Sequence, residues 1–460
     1  MTQEQKQFIE YSGVDSVILD ATAGSGKTFS CVNRLKTLLE RGVNPESIIF
    51  FSFTNDAVNE LKSRIGYDTG IKITTIHSFT QHALAKMGKN KAICTFNDFL
   101  RDYVTILWRR AITKEQKEET AKFIEDLYEN ETVISAAISA YKLEKREGIK
   151  AAKMPYPEIF KAYSEFLKTK RARDFSDMLI ETYDNVSSPI FKKYFYKKYE
   201  HVFVDEYQDT SSIQMRILLA MDANQYYLTG DECQSIYGFS GANCALVKSL
   251  LTNAKNTIHM TLSINFRSDT SIVSYANNFS TLFAKPQSKN SGYVHNSLIA
   301  KNDLKELLMS EGTTVLARTN RVIKDIELWA LNNKIPLKYF NYFTQEELTL
   351  MSQNQINERI QKKLRRVTGF SSTSEMLIFI YKNQNLNNFV TSIHKSKGRE
   401  FDNVIVVNSI EPGLCYDSGY DIYDYSFIDK ETDDIDIESR NVHYVASTRP
   451  KHTLHFMVWE

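Results

Sequence analysis

Ser16-Val17-Ile18-Leu19-Asp20-Ala21-Thr22-Ala23-Gly24-Ser25-Gly26-Lys27-Thr28 is the stretch on which the fold is decided. Its apolar start reads as a short strand, its small residues as a turn, and residues 29–39 continue with helical periodicity. Strand, glycine-rich turn and helix form the setting of a phosphate-binding loop, because small residues let successive N–H groups wrap phosphates at a helix N-terminus. Ala23, Gly24, Ser25 and Gly26 would line that loop. Lys27 is placed to reach the β- and γ-phosphates of ATP, and Thr28 to ligate Mg²⁺. Ala21 stands where the strict pattern has its first glycine. Alanine keeps the smallness but not access to positive φ, so either that position is not left-handed or the loop is altered.

A second half of the site is expected at His201-Val202-Phe203-Val204-Asp205-Glu206, an apolar strand ending in two acids. The carboxyl ends of strands are where α/β sheets gather ligands. Asp205 can hold Mg²⁺ through its water shell, while Glu206 can take a proton from an attacking water. A third strand, Tyr226-Tyr227-Leu228-Thr229-Gly230-Asp231, leads to Gln234. Its amide can donate and accept at once, which suits sensing a γ-phosphate.

The 460 residues and 42% hydrophobic content suffice for more than one core. Five scattered cysteines lack the close pairs of a disulfide framework or a four-thiolate zinc site. A polar N-terminus and the lack of long apolar runs predict a soluble, cytoplasmic protein with no membrane partner. With 57 Lys and Arg against 56 Asp and Glu, net charge neither identifies nor excludes a nucleic-acid binder, since placement decides. Basic runs at 168–173, 192–198 and 359–366 read as solvated faces or as backbone contacts; the second alternates with Tyr194, Phe195, Tyr196 and Tyr199.

Ordered along the chain, AGSGKT at 23–28, FTNDAVNELKSRI at 53–65, TIHSF at 75–79, DFSDML at 174–179, VDEYQDTS at 204–211, GDECQSIYGFSGA at 230–242, NFRS at 265–268, LARTN at 316–320, IHKSKGREFDNVIV at 393–406 and HYVASTRPK at 443–451 resemble the UvrD/Rep/PcrA-like branch of superfamily 1 helicases. The resemblance implies an α/β fold of two tandem RecA-like P-loop motor domains, with a helical insertion in the first and a short insertion in the second. It implies an ATP-dependent DNA helicase, moving 3′ to 5′ on single-stranded DNA and acting at single/double-strand junctions. Lys27, Thr28, Asp205, Glu206 and Gln234 take the family's ATPase roles. Gln5 would read the adenine edge, and Phe266 would pack on the base where tyrosine is usual. Arg267 and Arg449 would reach the γ-phosphate, and Glu400 would couple the second domain to the nucleotide. Phe53, Thr54, Asn55, Thr75, His77, Tyr237, Phe239 and His394 match segments that face the DNA strand. Stacking aromatics beside hydroxyl, amide and imidazole groups fit a sequence-tolerant grip on a single strand.

The expected organisation is a first motor domain at 1–85 and 190–263, a helical accessory domain at 86–189, a second motor domain at 264–340 and 388–460, and a reduced accessory insertion at 341–387. Helices are expected at Lys114–Glu129 and over 157–170, and Asp174 and Asp177 read as structural or coupling acids. The short insertion favours a second reading, a translocase that displaces proteins or serves a nuclease, repair or defence partner. A non-catalytic nucleic-acid-binding module and a small-molecule P-loop kinase are the competing classes. The acid-rich stretch 417–438 reads as an exposed, solvated or partner-facing loop.

Overall fold

A computed structural model describes residues 1–66, 69–148, 156–238, 241–309, 312–339, 341–409 and 437–459. Contacts between Cα atoms divide the chain into two units. One comprises Met1–Thr22 with Gly26–Ser263, the other Ile264–Glu460 with Ala23–Ser25.

The first unit is built on strands β1 (Ser16–Ala21), β2 (Ile48–Ser52), β3 (Lys72–Thr75), β4 (His201–Asp205), β5 (Gln225–Gly230) and β6 (Thr257–Leu262). They form one sheet in the order β3-β2-β4-β5-β1-β6, with every pairing parallel. A parallel sheet is covered on both faces, which explains why these strands read as unbroken apolar runs. Successive side chains separate onto the two faces. Ile18, Ile49, Phe51, Val202, Val204 and Leu228 enter one core, while Val17, Leu19, Phe50, Phe203 and Tyr227 enter another.

Between β3 and β4 run helices at Phe96–Arg110, Lys114–Glu129, Glu131–Glu147 and Pro157–Thr169. Phe99, Leu127, Ile134, Ile138 and Tyr163 give them a core of their own. Phe175–Asp184 follows, with Asp174 and Asp177 closing a reciprocal cap at its N-terminus. Both acids also take the Lys142 ammonium, at 2.7 and 2.8 Å, so they tie the last helices of this segment together.

The second unit has a five-stranded parallel sheet of β7 (Tyr293–Leu298), β8 (Thr313–Ala317), β9 (Phe389–Ser392), β10 (Phe401–Ser409) and β11 (Pro450–Trp459), in the order β7-β11-β10-β8-β9. Short helices at Gln345–Ser352, Glu358–Leu364 and Thr373–Lys382 lie within 341–387. Their Leu348, Met351, Ile360, Met376 and Ile380 share one core with Val315, Val390 and Ile405 of the sheet.

In two of the basic runs a cation is drawn into the fold by an acid. Arg173 is buried, 2.7 Å from Glu181 and donating to the Lys89 carbonyl, while Lys363 lies 2.6 Å from Glu347. Among the described residues, no helix is long and apolar enough to cross a membrane. Most of the acid-rich stretch, residues 417–436, lies outside the described residues, as does Phe239.

Candidate functional site

The first unit gathers its candidate side chains at the C-terminal ends of its strands. β1 ends on Ala21, buried and extended, so the residue in the first-glycine position needs no positive φ. Gly24 and Gly26 do need it, at φ 69° and 82°. Gly26 caps helix Lys27–Glu40 without any side-chain bond, which leaves the helix's first N–H groups for an anion. Gln5 is buried beside this turn. Its amide oxygen accepts the Thr2 N–H at 3.0 Å, and its nitrogen lies 2.9 Å from where a Cβ on residue 26 would stand.

Lys27 extends from the helix start to Glu206, Nζ to Oε2, at 3.2 Å. Burial alone would lower the ammonium's pKa, but Glu206, Asp231 and Asp205 together hold it above its usual value. Asp205 is pushed the other way. Burial, then Glu206, raise its carboxyl to about 7, even though Thr229 donates to it at 3.2 Å. Glu206 adopts φ 52° and ψ 46°, a left-handed conformation that costs a non-glycine residue about 1 kcal/mol or more.

Three carboxylates around one ammonium, with Asp205 and Asp231 both pushed by burial toward protonation, form a place short of positive charge. A divalent cation would supply it, and Thr28 and Asp205 provide oxygens of the kind magnesium takes. Among the described residues, no group of three or more His, Cys, Asp or Glu side chains gathers to hold a metal by itself. Further oxygens would therefore come from water and from phosphates, as is usual for magnesium.

Gln208 is a residue that sequence reasoning missed. It is buried two positions past the acid pair, donates to Glu206 Oε2 at 2.5 Å, and accepts the Asp231 N–H at 3.1 Å. Asp231 in turn accepts from Gln234 Nε2 at 2.7 Å and from the Cys233 N–H. A hydrogen-bonded path thus runs from Glu206 through Gln208 and Asp231 to Gln234. Also missed was Asp20, which takes the Tyr207 hydroxyl at 2.5 Å and the Lys248 ammonium at 2.8 Å just before the turn. For Asp20 the sequence signal was an acid inside an otherwise apolar strand; Gln208 stands among polar residues at 205–212, where nothing in the sequence sets it apart.

On the same edge, Phe53 is exposed and its ring centroid lies 5.2 Å from that of Tyr237. Burial, then Asp209 and Glu206, push the Tyr237 phenol up to about 12. Thr54 and Thr75 are helix N-caps whose hydroxyls accept from the Ala57 and Ser78 N–H groups; Asn55 is exposed. His77 packs edge-on against Phe175 at 5.3 Å, and burial lowers its pKa. A 20 Å³ cavity is lined by Phe53, His77 and Asp205 among others, so two of the residues expected to face a strand share one wall with one acid of the site.

The second unit holds the remaining candidates. Arg267 donates to Glu400 and to the Thr448 carbonyl, both at 3.0 Å. Arg267 and Lys451 outweigh burial and hold the Glu400 carboxyl below its usual pKa. Arg449 is fully buried, donating to the carbonyls of Val445 and Arg399 and to the Thr448 hydroxyl. Phe266 is exposed. His394 sits half-buried in the short helix Ile393–Ser396 that follows β9.

The family model described as UvrD/REP helicase N-terminal domain matches residues 1–255, and that of the UvrD-like helicase C-terminal domain matches 351–460. A "Probable DNA helicase" of Mycoplasma pneumoniae is 26% identical over 99% of this chain and 82% of its own length. ATP-dependent DNA helicase PcrA proteins of Staphylococcus epidermidis and Staphylococcus aureus are 28% identical over 60% of this chain. In each case the match spans 39% of the PcrA protein. With more than half the sequence matched by the first model alone, and the second accounting for its C-terminal part, the chain belongs to the UvrD/REP-like, superfamily 1 helicase family.

Proposed function

We propose that the chain is an ATP-dependent DNA helicase moving 3′ to 5′ on single-stranded DNA, with ATP hydrolysis by two RecA-like P-loop units coupled to strand separation. One observation carries this reading: Lys27, Asp205, Glu206 and the Asp231–Gln234 pair converge on the sheet edge that also bears the Phe53–Tyr237 aromatic pair.

Phosphates of ATP are received by the N–H groups of residues 23–28 and the Lys27 ammonium. Binding there draws Lys27 away from Glu206. Glu206, kept in aim by Gln208 and its own left-handed backbone, then accepts a proton from the water that attacks the terminal phosphate. Thr28 and Asp205 would hold Mg²⁺, which neutralises phosphate charge when bound. Gln5 would have to give up its cap on Thr2 to read adenine with both ends of its amide. Phe266 offers an exposed ring to the base. Arg267 and Arg449 supply guanidinium charge to the phosphates after leaving Glu400 and the Val445 carbonyl respectively. Glu400 thereby reports nucleotide state to the second unit.

Phe53, Tyr237, Phe239 and His394 grip the strand by stacking and phosphate contact, with Thr54, Asn55, Thr75 and His77 beside them. Gln234 links the two tasks, since it lies between Asp231 and the chain leading to Tyr237. ATPase assays with and without single-stranded DNA at low salt test the assignment, and hydrolysis indifferent to the strand would sink it.

A translocase without strong unwinding is the second reading. It is favoured by the helices of 341–387, which contribute Leu348, Ile360 and Met376 to the second sheet's core. Strand separation measured beside translocation, on duplexes with a 3′ or a 5′ tail, distinguishes the two and assigns polarity.

A further inference from the structure

The basic run at 192–198 turns all of its lysines outward. Over residues 191–199, Phe191, Phe195 and Tyr199 are buried, while Lys192, Lys193, Tyr194, Tyr196, Lys197 and Lys198 between them are exposed. This spacing pins one face of helix Pro189–Phe195 and the turn after it to the core and turns every cation outward. The neighbouring helix Ile76–Lys86 packs against it through Phe79, whose ring centroid is 5.1 Å from that of Phe195, and His82, at 6.2 Å. It adds exposed Lys86 to the same surface. Lys86 and Lys193 both lie over the Tyr194 ring, at 5.4 and 5.7 Å. Besides its own partial burial, His82 feels Lys72, Lys86 and Lys198, which all depress its pKa and so lie within electrostatic reach of one imidazole. The acids nearby are Asp222, which takes Lys197 at 3.7 Å and Lys255 at 2.8 Å, and exposed Glu200. Among the described residues, no carboxylate lies within ion-pair distance of Lys72, Lys86, Lys192, Lys193 or Lys198.

The position of this cluster separates it from the candidate ATP and strand site. Lys72 opens β3, and residues 197–200 lead directly into β4, so both mark the N-terminal edge of the parallel sheet. Asp205, Ser52 and Thr75 end their strands on the opposite edge. Five residues of strand span about 17 Å. Holding several like charges together without counter-ions is a cost in the free protein that a polyanion removes. With ammonium groups over its ring, Tyr194 serves as a post that holds lysines forward rather than as a platform for bases. Lys197 likewise lies over the exposed Tyr196 ring, at 5.5 Å, so the surface offers ammonium groups in front of its rings, and such charges read phosphates, which duplex DNA offers at the highest density, about one per 1.7 Å.

We propose that Lys72, Lys86, Lys193 and Lys198 form a second DNA-binding surface, which holds the phosphate backbone of duplex DNA on the edge of the first sheet opposite the candidate ATPase site. The choice of DNA as the polyanion rests on the function proposed above. A duplex held there would be anchored while its single-stranded tail is engaged on the other edge.

The test uses the full chain with Lys86→Glu, Lys193→Glu and Lys198→Glu combined, and Lys→Arg at the same three positions as the charge-preserving control. Fluorescence anisotropy reads binding to a blunt duplex and to a single strand across a salt series, and strand-stimulated ATPase is measured in parallel. The Glu variant is expected to bind the duplex about tenfold or more weakly, with a log–log salt slope shallower by about 2.7, since each lost phosphate contact removes about 0.9. Its strand-stimulated ATPase should stay within about twofold of wild type, and the Arg variant should bind like wild type. Unchanged duplex affinity and slope would overturn the proposal, and so would equal losses for single strand and duplex. If the wild-type ATPase ignores single-stranded DNA, the motor reading fails, while the anisotropy still decides the surface.

Discussion

Gly230→Ala tests whether the path from Glu206 to Gln234 governs turnover. Gly230 ends β5 with an ordinary φ, so the substitution strains no backbone. Its effect is steric: the new Cβ would lie 2.2 Å from Gln208 Oε1 and 2.7 Å from the Tyr207 ring. The amide has to leave, breaking its bond to Glu206 and stranding the Asp231 N–H. A hydrogen bond to a charged group contributes about 1.5–3 kcal/mol, and a buried N–H without a partner costs about 1–3 kcal/mol. If Glu206 acts only while Gln208 aims it, kcat should fall about 10- to 100-fold, the equivalent of 1.5–3 kcal/mol in the barrier.

Gln208→Ala removes the same amide directly and should cost about as much. In the double variant the Oε1 clash is gone, since there is no amide left to displace. The contact with the Tyr207 ring remains in the double variant, but the amide is lost only once, so the two losses should fall short of multiplying and the cycle should show a coupling of about 1.5 kcal/mol or more, whereas independent sites add to within about 0.5 kcal/mol. Steady-state ATPase with saturating single-stranded DNA provides kcat, and equilibrium nucleotide binding, expected to persist because Lys27 is untouched, separates turnover from site collapse. Rates that multiply, or a Gly230→Ala enzyme with wild-type kcat, would refute the reasoning.

The remaining expectations are simpler. Lys27→Ala should weaken nucleotide binding greatly, whereas Glu206→Gln should keep binding and lose turnover; equal ATPase rates for wild type and Glu206→Gln reject Glu206 as the base. Asp205 has its carboxyl raised to about 7 in the folded protein against about 4 unfolded, so the native state holds that proton more tightly. Its contribution to stability is therefore fully present below pH about 4 and is lost as pH rises to about 7. Denaturant unfolding of the metal-free protein at several pH values should show this fall, and Asp205→Asn should flatten it. Phe53→Ala should reduce stimulation by single-stranded DNA more than basal hydrolysis, because the ring is exposed beside Tyr237 and fills no core. Parallel loss of both activities would mark it as structural instead.

What the sequence made legible was local. The apolar strand, the glycine turn and the helix at 16–39 are contiguous, and each follows from residue type and spacing. The acid pair at 205–206 was equally readable because it ends an apolar strand. Partner choice was not, since it depends on residues far apart in the chain. Gln208 matters through Asp231, which is 23 positions away. Phe53 ends an apolar run and could as well have been core, yet the strand stops at Ser52 and leaves its ring outside. Arg449 is expected from its motif to present its charge to phosphate, and nothing in the sequence signals that Val445, Arg399 and Thr448 hold its guanidinium meanwhile. A motif specifies the residue type at a position, while burial and competing acceptors decide how much work its use requires.

The basic runs carry the same argument further, because on paper they are alike. Arg173 is neutralised by Glu181 and Lys363 by Glu347, acids 8 and 16 positions away that fall within reach only once helices have formed. Each pair has one buried partner, which would be left uncompensated if the pair broke, so neither cation is available to a ligand without a cost. The run at 192–198 differs through its burial period, which commits Phe191, Phe195 and Tyr199 inward; among the described residues, Asp222 beside Lys197 is the one carboxylate within ion-pair distance of its exposed lysines. Composition therefore could not separate structural cations from those that face outward. The separation comes from the spacing of three aromatic residues, and this spacing brings Lys193 and Lys198 into one cluster with Lys86.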